Sequence, residues 1–266
     1  MKGISVSTCF DYDISFRNQL ELIHKAGFSH FSIGSNYSHS GILERKNLDE
    51  IKTMSQENHL SIDTIHGYAM DKEDTVDINK KLAEAAYALN VPVIVLHCSP
   101  FAFNPNTLDE RKRDIISKLP LFENLAKTYN VVFAFENVLP GAATDLTEFA
   151  VNNSDSKYFG FCYDSSHDQV DGPHSFNLLK RNASRLKAVH ISDRIREFVD
   201  HVTPGEGFID FEQITEIIHS ANPSFPLLME VMTTYSKYKN ADEFLSVTYK
   251  EALKLYNKIN ENKHSF

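Results

Sequence analysis

The chain has 266 residues, three cysteines, no tryptophan and a formal charge of −9, with 36 acidic against 27 basic side chains. An odd cysteine count argues against a disulfide framework and for a reducing compartment. The negative balance disfavours the basic footprint that nucleic-acid binding leaves. No N-terminal basic-then-apolar segment appears and no apolar run nears the ~18 residues of a membrane span, so the expected location is the cytoplasm, away from membranes.

In chain order, Gly3 to Cys9 reads as a short strand. Ser15 can cap the following helix, whose apolar face is Phe16, Leu20 and Ile23 and whose stop is Gly27. Phe28 to Ile33 is a second strand, Asn36 to Gly41 a polar loop, and Leu48 to Gln56 a short helix. Strand three ends at His66, and Asp71 to Asn90 is a helix with an Ala-Leu face. Strand four ends at His97, and a loop containing Pro100 and Pro105 follows. Asn106 to Tyr129 is helical in pattern, with Pro120 expected to kink or split it. The run Val131-Val132-Phe133-Ala134-Phe135 meets Glu136, the mark of a buried strand that leaves the core at a carboxylate. Thr144 to Val151 is a helix and strand six ends at Asp164. A helix starts near Ser175, strand seven ends at His190, and a helix spans Phe211 to Ser220. Strand eight ends at Glu230 and the last helix runs from Asp242 to Asn260.

Eight alternations of strand and helix, with no linker or low-complexity tract, imply a parallel sheet with right-handed crossovers. The length suits a closed barrel, which takes about 250 residues. We therefore expect the α/β class and a single (β/α)8 TIM barrel over residues 1–266. No Gly-x-Gly-x-x-Gly follows the first strand, which disfavours a dinucleotide fold. Six apolar segments finish on His66, His97, Glu136, Asp164, His190 and Glu230, although His, Asp and Glu make up only 48 of the 266 residues. In a barrel these ends converge on one face, where active sites form.

Acids and imidazoles gathered at one spot repel or desolvate one another unless a cation offsets them. Glu136, Asp164, His190 and Glu230, from four successive strands, offer three carboxylates and one imidazole. That set suits one divalent ion such as Mn²⁺, Zn²⁺ or Mg²⁺. Taken singly, each acid could equally cap a helix or pair with a lysine. His66, His97, His167 and His201 form a second tier, read as substrate hydrogen-bonding groups or satisfied structural residues. His24, His30, His59, His219 and His264 read as structural. Pro204-Gly205-Glu206-Gly207 reads as a tight turn and Asp210 as a helix cap. Arg194 and Arg196 could each meet a hydroxylated or anionic substrate. The three cysteines read as small core residues.

At these residues the chain resembles the xylose-isomerase-like barrel superfamily, which holds sugar isomerases and epimerases together with the apurinic endonucleases. The resemblance rests on Phe135-Glu136-Asn137, Asp164-x-x-His167, Val189-His190-Ile191-Ser192-Asp193, His201-x-x-Pro204-Gly205-Glu206-Gly207-x-Ile209-Asp210 and Met229-Glu230-Val231, and it covers nearly the whole chain. It implies that Glu136, Asp164, His190 and Glu230 are metal ligands. Glu136 and Glu230 would double as the proton-transfer pair, and His167 and Arg196 would meet substrate hydroxyls. The implied reaction is isomerisation or epimerisation of a free or phosphorylated sugar, or a close polyol relative, through a metal-stabilised enediolate. The rival is a zinc-dependent phosphodiester hydrolase of the endonuclease kind, for which His66, His97 and His167 are present. Its Asp-x-His pair is missing, because Val199 stands two residues before His201 and Asp200 is adjacent instead. His66 and His97 keep a second metal open. The residues leave the oligomer open, with a homodimer or homotetramer as the expectation.

Overall fold

The computed structural model describes residues 1–99, 104–196 and 200–261; Pro100, Val199 and His264 lie outside the described residues. Eight parallel strands close into a barrel in sequence order: β1 Ile4–Ser7, β2 His30–Ile33, β3 Ser61–His66, β4 Val93–His97, β5 Val132–Glu136, β6 Phe159–Asp164, β7 Leu186–Ile191 and β8 Leu227–Met229. The crossover helices are α1 Phe16–Ala26, α2 Leu48–Glu57, α3 Thr75–Leu89, α4 Leu108–Tyr129, α5 Ala142–Asn152, α6 Asn177–Asn182, α7 Phe211–Ala221 and α8 Ala241–Glu261. Ser15 accepts from the Asn18 N–H and Gly27 closes α1 in the left-handed region, as the sequence predicts. Pro120 does not split the helix: α4 runs unbroken from Leu108 to Tyr129. Pro120 and Ile116, whose carbonyl loses its intrahelical donor, both lie on the exposed face of α4, where water can serve that carbonyl. The polar loop at 36–41 contains a single helical turn, Tyr37–Ser40.

Alternation along the strands explains why the polar ends point inward. Side chains two apart share a face. In β5, Phe133 and Phe135 point out into the helix layer, where Phe133 meets Phe122 of α4 edge-on at 5.0 Å and Phe135 stacks on Phe159 at 5.5 Å. Ala134 then points into the lumen, and so does Glu136. The lumen carries small side chains, Val93, Val95, Ala134, Cys162 and Ala188, which pack as their own cluster. Two residues above them on the same faces stand His97, Glu136, Asp164 and His190. The register sets His97 beside Glu136 and Asp164 beside His190. In β3 the pairing to β2 jumps from Ile62 to Thr64, leaving Asp63 as an extra residue. After that jump Thr64, which donates to Ser32 at 2.7 Å, and His66 share the inward face.

Asp63 is buried and accepts from the Ser5 hydroxyl at 2.9 Å. Burial pushes its carboxyl up to about 6 from 3.8, with the Ser5 hydrogen bond opposing the shift. A raised carboxyl means that the folded state holds this proton more tightly. Its contribution to stability is therefore fullest below pH 3.8 and is lost as pH rises through 6. At neutral pH the ionised group costs up to about 3 kcal/mol. Asp63→Asn keeps an acceptor for Ser5 without the charge. Urea unfolding at pH 8 is expected to show the variant more stable by about 1–3 kcal/mol, with the gap closing by pH 4. A variant less stable than wild type at pH 8 would contradict this account.

Candidate metal centre and substrate cavity

The six polar strand ends and two loop histidines meet at the C-terminal mouth of the barrel. Glu136 is fully buried and stands between two sets of imidazoles. Its Oε2 is 3.1 Å from His97 Nε2 and 3.5 Å from His66 Nε2. Its Oε1 is 3.0 Å from His190 Nδ1 and 3.6 Å from His167 Nδ1. Glu230 reaches the same His190 Nδ1 at 2.9 Å. Burial alone would raise both glutamates, but the imidazoles prevail. His190 and His97 hold Glu136 well below the usual carboxylate range, and His190 and His201 do the same for Glu230. Burial alone would lower His66 and His97. The hydrogen bond to Glu136 overrides it at His66, whose imidazole is raised, while His97 stays lowered.

Asp164 is divided in its duties. Its Oδ1 caps the single helical turn Ser165–Asp168, accepting from the His167 N–H at 2.7 Å and the Ser166 hydroxyl at 3.0 Å. Its Oδ2 is buried with no hydrogen-bond partner. Burial pushes this carboxyl up. A buried, unpartnered oxygen beside other acids is costly unless a cation meets it. One ligand atom from each of Glu136, Asp164, His190 and Glu230 lies within 4.8 Å of the others, so the donor set and the orphaned oxygen fit a divalent ion. Three further groups share its members: His66 and His97 with Glu136, His167 and His201 with Asp164, and Cys162 with Glu136 and His190.

Several residues hold the site in bracing roles that the sequence does not reveal, among them Arg194, which the sequence offers as a substrate contact. Asn137 joins β5 to β6 through a reciprocal pair: its amide donates to the Asp164 carbonyl, and the Asp164 N–H donates to its Oδ1, each at 2.9 Å. Its own carbonyl lies 3.0 Å from His167 Nδ1. A buried polar residue directly after a strand-end acid was the available signal. Arg194 is buried and donates to the Ser166 carbonyl at 3.2 Å and to Asp200 Oδ2 at 3.1 Å. Asp200 Oδ1 in turn lies 3.3 Å from His201 Nδ1. That leaves His201 Nε2 facing Glu230 at 3.5 Å and Asp164 at 3.7 Å. Asp200 thus braces His201 from behind. His201 has φ 54°, a conformation that costs a non-glycine residue on the order of 1 kcal/mol and needs such support. The Pro204–Gly207 turn is pinned by Asp193, whose carboxylate accepts from the N–H groups of Gly205, Gly207 and Ile209 at 2.8–3.1 Å. Asp210 caps α7 as expected.

A cavity of about 510 Å³ opens over the cluster, with His66, His97, His167, His201 and Glu230 on its lining. The expected substrate groups His66, His97, His167 and His201 are therefore brought together. Arg196 is not: it is exposed and does not line this cavity. The arginine that packs beside the site is Arg194, two residues earlier.

A closed barrel with this polar cluster at its strand ends defines a class, and comparison with known proteins names it. The model of the family described as xylose isomerase-like TIM barrel matches residues 20–254, and the chain belongs to that family. An inosose isomerase of Halalkalibacterium halodurans is 24% identical over 247 residues, spanning 84% of this chain and 85% of that protein. Among solved structures, the IolI protein with a binding zinc atom has a TM-score of 0.78 at 18% identity, covering 99% of this chain and all of that one. A D-tagatose 3-epimerase-like protein gives 0.77 at 22% identity over 99% of this chain and all of that one. The 3-keto-D-glucoside 4-epimerase of E. coli gives 0.75 at 17% identity over 96% and 100%. At these identities the structures bear on the fold. Among the described residues, no helix is long and apolar enough to cross a membrane.

The orphaned Asp164 oxygen yields a test that needs no substrate. Zn²⁺ or Mn²⁺ at 100 times its dissociation constant should stabilise the chain by about 2.7 kcal/mol. A thermal midpoint rise of several degrees is expected, and Asp164→Asn should abolish most of it. An equal rise in wild type and variant would place the ion elsewhere.

Proposed function

We propose that the protein is a divalent-metal-dependent sugar isomerase or epimerase that moves a proton on a carbon beside a carbonyl. The observation that carries this reading is the pair of ionised, buried carboxylates Glu136 and Glu230. They reach one point from β5 and β8, 3.0 and 2.9 Å from the same His190 nitrogen. Glu136, Asp164, His190 and Glu230 would hold the ion. When bound, it would act as a Lewis acid that polarises the substrate carbonyl and acidifies the neighbouring C–H. One glutamate removes the proton as general base and the other returns one as general acid, with an enediolate between the two transfers. His167 and His201 orient substrate hydroxyls from the cavity wall, each fixed from behind by the Asn137 carbonyl and by Asp200. Isomerases and epimerases among the similar proteins support the reading. The unpaired state of Cys9, Cys98 and Cys162 supports a reducing compartment, and we place the protein in the cytoplasm.

One observation favours a second reading, a zinc-dependent phosphodiester hydrolase. The two histidine side groups could each hold an additional ion. Against it, Asp200 is engaged with Arg194 and His201, and the chain's charge of −9 repels a nucleic-acid backbone.

The test of the main reading is exchange of a substrate α-proton with solvent deuterium across ketoses, their phosphates and inososes. Glu136→Gln and Glu230→Gln keep a ligating oxygen but cannot take the proton as a carboxylate does. Exchange should fall by ~10²–10⁴-fold in each, at unchanged metal content. His167→Ala should mainly weaken substrate binding. Exchange that survives in both Gln variants would reassign the acid–base pair, and no metal-dependent exchange with any of these sugars would count against the function. The hydrolase reading is separated by incubating zinc-loaded protein with an abasic duplex. No efficient scission is expected, and strand cleavage at a repair enzyme's rate would reverse the choice.

A further inference from the structure

The cavity has two unlike halves. One is the histidine and carboxylate cluster. The other is a wall of Tyr12, Tyr37 and Tyr68 with Met232, which the mechanism above leaves unused. Two of these rings are fastened at their hydroxyls. The Tyr37 hydroxyl donates to the His66 carbonyl at 3.1 Å, and the Tyr12 hydroxyl accepts from the Asn36 N–H at 3.4 Å. Tyr12 also meets the His39 ring edge-on at 5.1 Å. Gly34, at the end of β2, makes this arrangement fit, since a Cβ there would come within 2.3 Å of the Tyr12 hydroxyl. A fixed aromatic wall next to a polar cluster is the arrangement that packs the C–H face of a sugar ring while hydroxyls are read by polar groups.

The charge around this wall is equally specific. Apart from the histidines, Lys72 is the only basic side chain among the described residues that line the cavity. It is half exposed, lies 3.9 Å from Asp71 and sits in the acidic run Asp71-Lys72-Glu73-Asp74. Arg194 is turned away onto Asp200 and Ser166. A phosphate monoester carries up to two negative charges and is normally met by several convergent donors. Here, outside the histidine cluster, it would meet one lysine, whose neighbours in the chain are the acids Asp71, Glu73 and Asp74, and the negative faces of aromatic rings.

We propose that Tyr12, Tyr37 and Tyr68 form a stacking subsite for the uncharged ring of a carbohydrate substrate, so that the site selects unphosphorylated sugars over sugar phosphates. This rests on the reading of the site as a sugar isomerase or epimerase and narrows its substrate class.

Saturation-transfer NMR titrations of the full chain with D-fructose and with D-fructose 6-phosphate test it by binding, independently of turnover. D-Fructose is expected to bind saturably, and the phosphate at least about tenfold more weakly. Tyr12→Ala and Tyr68→Ala should each weaken D-fructose by about fivefold, and Tyr68→Phe, which keeps the ring, by less than about twofold. Circular dichroism midpoints establish that the variants are folded. If Tyr12→Ala is unfolded, the Tyr68 pair decides alone. Tighter binding of the phosphate would make Lys72 an anion anchor and overturn the proposal. So would folded alanine variants that bind as wild type does, or the absence of saturable D-fructose binding. Deuterium exchange on the wild type separates the two levels. Exchange with the subsite disproved leaves the reaction class standing, whereas tyrosine-dependent binding without exchange on any sugar leaves a sugar-binding barrel.

Discussion

Three carboxylates, Glu136, Asp164 and Glu230, occupy one water-poor space at the mouth of the barrel. Placed there without positive charge they would repel and desolvate one another at a cost of several kcal/mol. The surrounding architecture answers that problem. Glu136 is met by four imidazoles, Glu230 by two, and Asp164 is half satisfied by a helical turn. What remains after this neutralisation is one buried oxygen of Asp164 that has no hydrogen-bond partner and only the His201 ring at 3.7 Å. The electrostatics thus marks where a cation would fit and which atom it would complete.

The barrel below the cluster serves the same end through size. Aromatic side chains point outward from β5 and β6 into the helix layer, and their burial contributes roughly 2–3 kcal/mol each. The lumen holds valine, alanine and cysteine instead. Small inward residues let the strands close tightly, which brings the four strand ends within ligand reach of one another. Around this floor the loops add bracing rather than new acids: Asn137 across β5 and β6, Arg194 with Asp200 behind His201, and Asp193 under the 203–209 turn.

The fold and the four-residue set were legible because each rests on a local pattern. An apolar run that ends on an acid or an imidazole carries both the strand and its polar tip, as at Phe133-Ala134-Phe135-Glu136. The bracing was not legible, because it depends on pairs far apart in the chain, such as Arg194 with Ser166, or on which face of a loop a residue takes. Arg196 illustrates the second difficulty. Family spacing favoured it over Arg194, yet the fold buries Arg194 and leaves Arg196 in solvent. Pro120 illustrates a third, since its effect turns on whether the freed carbonyl meets water or core. The tyrosine wall was invisible for the same reason, its members coming from the loops after three different strands.

The extra residue in β3 matters beyond its own strand. A strand presents its residues in a two-letter frame, one facing the lumen and the next the helices. Asp63 is the one residue that does not advance this frame: Ile62 faces the helix layer, Thr64 the lumen, Ile65 the helix layer and His66 the lumen, so the alternation runs on as if Asp63 were skipped. Deleting Asp63 would therefore leave His66 facing the lumen and remove the hydrogen bond to Ser5. Straightening the ladder with every residue kept would instead turn Ile65 inward and His66 outward, so it is the bulge, and not the length of the strand, that holds this imidazole in the cluster.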